Sequence, residues 1–319
     1  ARLLHPEDIR MQKRTFMTLT MRKIRTALVL LCFLLPSLLR AGVDLERFNR
    51  EIRPGDYRRI VSLAPSLTEI LFALGLGDRV VGVTKHCNYP TEALKKPHVG
   101  SYVDLNIEKI LTLKPDLVIA TADGNEKGSV ERIRSFGIPV LLTNPRNLNE
   151  TYETIRTVGR ITLREKRAEE LVLSLKKRAE GVARAVSGLP RPRVFLQINE
   201  HPLISVGRET FHHHLIQLAG GINICGDAEM KYPKYSIEQV LKADPEVILI
   251  TSMERGVAAE KKKDRWRQWP QISAVKNNRI HILDSDLLDR PSPRLVDGLE
   301  ALAAAIHPEI QYRGNRGRP

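Results

Sequence analysis

The chain is expected to fold as an α/β protein of two Rossmann-like lobes with mostly parallel sheets. A long rigid α-helix should join them, leaving a ligand cleft between. Three observations predict this. A phrase recurs 130 positions apart: Asn106-Ile107-Glu108-Lys109-Ile110-Leu111 followed by Pro115-Asp116-Leu117-Val118-Ile119 is echoed by Ser236-Ile237-Glu238-Gln239-Val240-Leu241 followed by Pro245-Glu246-Val247-Ile248-Leu249. Each copy reads as a cap residue, a short helix, a Pro that ends it and a buried strand. The spacing is too long for a solenoid and fits two similar lobes. Strand-like apolar runs alternate with helical patterns on either side of the midpoint, as parallel sheets covered on both faces require. Between them lies one long amphipathic stripe.

The first lobe, residues 58–148, should run strand 59–64, helix 66–74, strand 79–83, helix 106–113, strand 116–120, helix 127–136 and strand 138–142. Ser66-Leu67-Thr68-Glu69 reads as a capping box, which gives Glu69 a local structural job. Gly75-Leu76-Gly77 closes a helix, so it is a C-cap and not a dinucleotide loop. Residues 149–188 form the linker and brace. A second capping box, Thr162-Leu163-Arg164-Glu165, opens a helix with apolar Ala168, Leu171, Val172, Leu175, Ala179, Val182, Ala183 and Val186, stopped by Gly188 and Pro190. At 1.5 Å per residue the brace is roughly 37 Å long, enough to cross both lobes. Such a brace bends little, so the lobes should rock by small angles. The second lobe, 192–307, should run strand 193–198, helix 209–219, helix 236–243, strand 246–251, strand 279–283 and a last helix capped by Ser292 with Pro293 at its first position. In both lobes the C-terminal strand ends, where open α/β sheets bind ligands, should face the cleft.

Segment 21–42 has a basic start (Arg22, Lys23, Arg25) and an apolar run over 27–39. That is too short for the roughly 20 residues of a membrane span and suits a signal peptide, so the protein is expected to be exported to the periplasm, or tethered if uncleaved. Residues 1–20 read as an upstream extension and 308–319 as a basic tail. Without residues 1–42 the chain keeps 43 basic and 35 acidic side chains, a net charge of about +8. The basic groups are scattered without interleaved aromatics, which argues against nucleic acid and for a solvated surface. Cys87 and Cys225 fall in different lobes, where a disulfide would staple the cleft, so two free thiols are expected.

The phrases Arg59-Ile60-Val61-Ser62-Leu63-Ala64-Pro65-Ser66-Leu67-Thr68-Glu69-Ile70, Asn88-Tyr89-Pro90, the repeated helix-Pro-strand unit, Arg193-Val194-Phe195-Leu196-Gln197 and Ser285-Asp286 followed by Arg290-Pro291-Ser292-Pro293-Arg294 carry a resemblance. Over residues 58–306 the chain resembles the periplasmic vitamin B12 (cobalamin) binding proteins of ABC importers, within the larger Fe/B12 class of helix-braced binding proteins. The resemblance implies a monomer that carries a corrinoid as cargo, has no intrinsic cofactor, does no covalent chemistry, and delivers to an ABC permease with its ATPase. It puts the two permease-docking carboxylates on Glu108 and Glu238, the pair that the repeat also singles out. The alternative for each is simple stabilisation of its helix dipole. It places the corrin pocket on His86, Tyr102, Tyr232, Asp286 and Arg290; Asp286 and Arg290 could instead be a plain loop ion pair. Thr121 stands where the family has a Trp, and His86 where it has an aromatic hydroxyl. His86 is thereby also a candidate axial ligand to bound cobalt or iron, the alternative being a solvated loop residue.

Other signals are weaker. His212-His213-His214 cannot share one metal, since consecutive helical positions point about 100° apart, and reads as surface helix. Trp266 and Trp269 should cover the second sheet. The same fold could carry haem or a ferric siderophore, the latter favoured by a pocket ringed with Arg and Lys. A metal-dependent enzyme on the same lobes would need clustered His, Cys or carboxylate ligands, for which His86 with Cys87 is the one candidate read here.

Overall fold

The structure is a computed structural model and describes residues 44–252 and 257–310, apart from the side chains of 257–259. The signal-like segment 21–42, the extension before it and the tail arginines Arg313, Arg316 and Arg318 lie outside the described residues. In chain order the elements are α1 (Leu45–Asn49), β1 (Ile60–Ser62), α2 (Pro65–Ala73), β2 (Val80–Val83), α3 (Ile107–Thr112), β3 (Leu117–Thr121), α4 (Lys127–Ser135), β4 (Val140–Thr143), α5 (Leu148–Ile161) and α6 (Glu165–Val186). There follow β5 (Arg193–Gln197), α7 (Phe211–Leu218), β6 (Ile222–Asn223), α8 (Ile237–Ala243), β7 (Val247–Ser252), α9 (Val257–Asp264), α10 (Ser273–Lys276), β8 (Ile280–Asp284), α11 (Ser285–Leu288) and α12 (Leu295–Ile306).

Two four-stranded sheets, parallel throughout, have the same strand order: β2-β1-β3-β4 and β6-β5-β7-β8. The inner strands β3 and β7 are buried at every position, as strands covered on both faces must be. The duplicated phrase is reproduced down to its hydrogen bonds. The Asn106 side chain accepts from the Lys109 N–H to cap α3, and Ser236 accepts from Gln239 to cap α8. Each helix gives way to a residue in the left-handed region, Lys114 (φ 46°) and Asp244 (φ 42°), directly before its Pro. In the first lobe the Asp116 carboxylate accepts from the N–H groups of Arg58 and Arg59, while the Arg59 guanidinium donates to the carbonyls of Leu113 and Lys114. In the second, Glu246 accepts from the Arg193 N–H and Arg193 donates to Ala243 and Asp244. Both arginines satisfy carbonyls that a helix end leaves without partners.

The brace is α6, 22 residues long. At 1.5 Å per residue it spans about 33 Å. Its buried stripe, Ala168, Val172, Leu175, Ala179, Val182 and Val186, belongs to an apolar cluster that also takes Ile60, Leu67 and Ile119 from the first lobe and Val194, Leu196 and Leu249 from the second. Each lobe has a further cluster of its own on the other sheet face, around Val118 and Ile133 in the first and Phe195 and Ile248 in the second. Arg178 of the brace holds Asp297 and Glu300 of α12 at 2.5 and 2.7 Å. One apolar body therefore runs from sheet to sheet through the brace. Cys87 and Cys225 are both buried free thiols, as expected. Trp266 is buried, its ring edge-on to Phe195 and its indole N–H donated to Gln197 at 2.9 Å.

Three helix starts differ from expectation. Helix α2 begins at Pro65 with Ala64 as N-cap, so Ser66 lies inside the first turn and no capping box forms. Thr162 closes α5, its hydroxyl donating back to the Val158 carbonyl at 2.7 Å, and α6 starts without a side-chain cap. Helix α12 opens at Leu295, two residues beyond Pro293; the Ser292 hydroxyl donates to Glu69 while its oxygen accepts from the Arg294 N–H.

Candidate functional site

The C-terminal strand ends of both sheets meet at a cavity of about 610 Å³. Thr121 ends β3, Thr251 and Ser252 end β7, and all three line it. This is the position that ligands take in open α/β sheets. From the first lobe His86 and Tyr102 face the cavity; from the second come Tyr232, Asp286 and Arg290. The five residues expected to form the pocket therefore share one cavity.

Their supports are local. The Asn125 side chain accepts from the Thr121 N–H and donates to the carbonyls of Leu63 and Tyr102, tying the ends of β1 and β3 to the loop carrying Tyr102. The Tyr102 ring packs so close to Gly124 that a Cβ there would fall 1.8 Å from it. Burial, with the Asp123 charge adding to it, raises the Tyr102 hydroxyl pKa. Tyr232 is pushed up to about 12, first by burial and then by Asp123, Asp289 and Tyr102. Both phenols are neutral donors at physiological pH.

Asp286 and Arg290 do form an ion pair, at 2.6 Å. It is no plain loop pair, because both partners also reach the other lobe. Asn88 donates to Asp286 at 2.8 Å, and Arg290 donates to Asn88 Oδ1 at 2.6 Å and to the His86 carbonyl at 3.3 Å. At the centre of this contact is Glu69, 3% exposed. Its carboxylate accepts from the Ser292 hydroxyl at 2.6 Å, from Arg294 at 2.5 and 2.9 Å, and from Arg290 at 3.3 Å. The Arg294 guanidinium also sits 3.9 Å over the Tyr89 ring. Glu69 is thus an interlobe counter-ion and not a cap residue.

The triple histidine corrects a second expectation. His212 is 4% exposed, stacked on Phe211 and 2.9 Å from Asp289, and it lines the cavity. His213 contacts Asn223 at 3.1 Å. Burial lowers the pKa of both His213 and His214, so this helix is not a plain surface element. Glu108 and Glu238 stand exposed in the first turns of the equivalent helices α3 and α8. His86 is an exposed loop residue at the cavity. Among the described residues no group of three or more His, Cys, Asp or Glu is placed to hold a metal ion, and no helix is long and apolar enough to cross a membrane.

Residues 60–287 match the model of a periplasmic binding protein family. The chain belongs to that periplasmic binding protein family. It is 34% identical over 255 residues to a Vitamin B12-binding protein of Vibrio cholerae serotype O1, covering 80% of this chain and 91% of that one. It is also 34% identical over 259 residues to an uncharacterized ABC transporter substrate-binding lipoprotein of Bacillus subtilis, covering 79% and 81%. The crystal structure of a periplasmic vitamin B12 binding protein of Vibrio cholerae superposes with a TM-score of 0.72 at 33% identity, over 79% of this chain and 98% of that one. A periplasmic haem-binding protein of a Roseiflexus species in apo form gives 0.71 at 30%, over 80% and 99%. The two-lobed α/β fold and the substrate-binding family read from the sequence are both confirmed.

Proposed function

We propose that this periplasmic binding protein captures a corrinoid between its lobes and hands it to an ABC permease driven by its ATPase, without covalent chemistry. The observation that carries this reading is the character of the cavity: it is lined by tyrosines from both lobes, and its arginine is already committed. A flat macrocycle is well matched by ring faces and neutral donors. Arg290 is held by Asp286, Glu69 and Asn88, which leaves it poorly disposed to receive an anionic siderophore. His86 is, in this reading, an axial nitrogen for the bound metal. Glu108 and Glu238, exposed at equivalent places, are the contacts with the permease. The chain acts as an exported monomer, with lobes 58–148 and 192–307 about the brace 149–188.

The likeness to the Roseiflexus protein favours haem as a second reading. Calorimetry with cyanocobalamin, cobinamide, haemin and a ferric hydroxamate separates the two. Tight binding of both corrinoids alone is expected, and binding of haemin with no corrinoid binding would replace the first reading by the second.

A further inference from the structure

Two buried polar atoms beside the cavity have no hydrogen-bond partner: His212 Nδ1 and Ser285 Oγ, each with under 1 Å² of accessible area. Both residues belong to the cavity wall, together with Phe211 and Asp289. His212 Nε2 lies 2.9 Å from Asp289 Oδ1, and the Asp289 N–H donates to the Ser285 carbonyl at 2.7 Å, so the three residues form one connected patch of the second lobe. Leaving a polar atom buried and unpaired costs about 1–3 kcal/mol. Two such atoms in one wall mark a place where a ligand offering complementary groups gains most. A carboxylate only accepts, so the proton sits on Nε2 and is donated to Asp289. In the neutral form of the ring Nδ1 then carries the lone pair and accepts, while the Ser285 hydroxyl is free to donate.

We propose that His212 and Ser285 form a specificity subsite for a primary amide on the rim of the cargo. The amide N–H goes to His212 Nδ1, and its carbonyl receives the Ser285 hydroxyl. Neither atom is open to solvent, so a ligand engages them through a small repacking of the wall. The inference rests on the corrinoid reading and deepens it. The corrin rim bears amides, which both donate and accept. The rim of haem bears carboxylates, which cannot donate to Nδ1 and would lie beside the Asp289 charge.

The test is calorimetry with two corrinoids, cobinamide and cobyrinic acid, the second having carboxylates where the first has amides. Haemin serves as the third probe. Wild type is expected to prefer cobinamide. His212→Gln keeps a donor toward Asp289 and loses the Nδ1 acceptor; Ser285→Ala loses the hydroxyl. Each should weaken cobinamide about fivefold to tenfold, and His212→Gln should leave cobyrinic acid unchanged, since a carboxylate has no N–H to give to Nδ1. His212→Asn, which returns an acceptor oxygen near the place of Nδ1, should recover most of the loss, with melting curves showing that all three variants fold. Unchanged cobinamide binding by His212→Gln and Ser285→Ala, or equal weakening of both corrinoids by His212→Gln, overturns the subsite while the corrinoid reading stands. Wild type that binds haemin and neither corrinoid removes that reading and the subsite with it.

Discussion

Replacing Glu69 by Gln keeps the side-chain shape and removes one buried negative charge. Glu69 has 2% of its side chain exposed, and its guanidinium partners Arg290 and Arg294 have 11% and 17%. The two arginines do not lose equally. Arg290 keeps Asp286 at 2.6 Å, whereas Arg294 keeps the Tyr89 ring face and the weaker pull of the Asp286 charge. Breaking a buried ion pair by removing one partner costs about 3–5 kcal/mol, and with one arginine still compensated the lower end applies. At about 2–4 °C per kcal/mol for a chain of this size, a loss near 3 kcal/mol lowers the melting temperature by roughly 6–12 °C. The assay is thermal and urea denaturation of wild type, Glu69→Gln, Arg294→Met and the double variant, followed by circular dichroism. If the contact is as described, the double variant is less destabilised than the two single changes together, with a coupling energy of about 1–3 kcal/mol. Melting of Glu69→Gln within a degree of wild type, or strict additivity in the cycle, would refute the interlobe role of this carboxylate.

Reversing the paired surface charges, Glu108→Arg with Glu238→Arg, should abolish transporter-dependent uptake while calorimetric affinity for the corrinoid stays as in wild type; uptake that persists removes the docking role. Gly124→Ala should weaken ligand binding at least severalfold without contacting the ligand, since the new Cβ would collide with the Tyr102 ring, and equal affinity would show that this ring is not part of the pocket. Alkaline stability carries a sign that can be worked out. Burial holds the hydroxyls of Tyr152 and Tyr232 at about 12, above the ordinary 10, so the folded chain keeps those protons more tightly than the unfolded one. Their contribution is complete below pH 10 and is lost as pH rises through 12. Tyr152→Phe removes a buried hydroxyl with no hydrogen-bond partner, so melting temperatures at pH 9 and 11 should show it no less stable than wild type and with a smaller alkaline loss.

What the sequence made legible, and what it hid, divides along sequence distance. The repeat was readable because all its signals are local: a cap three residues before the N–H that donates to it, a Pro at the helix end, and a run of apolar residues in an inner strand. The brace was readable because its stripe has the helical period. Glu69 was hidden because its partners lie 221 to 225 positions away, while Ser66 three residues before it imitates a capping box. The imitation fails for a definite reason. Pro65 suits the first helical position, so the helix starts one residue early and Ser66 loses the extended backbone that an N-cap needs. His212 was hidden likewise: the argument that three consecutive histidines cannot share a metal is sound, yet it does not tell which of them meets an aspartate 77 positions on.

These long-range contacts also bear on how the cleft works. The apolar cluster through the brace and the Glu69 contact both join the two lobes, one along the spine and the other at the cavity wall. Wide separation of the lobes would have to expose part of the first and strip the counter-ion from two nearly buried arginines in the second. Small rocking leaves the apolar cluster intact and strains only the polar contact, whose hydrogen bonds re-form on closure. A binding protein built this way gains little ligand affinity from closing, because the contacts that join its lobes are made by its own side chains. Its selectivity then has to come from the cavity wall itself, from Tyr102 and Tyr232 and from the unpaired atoms of His212 and Ser285, and not from the extent of lobe movement.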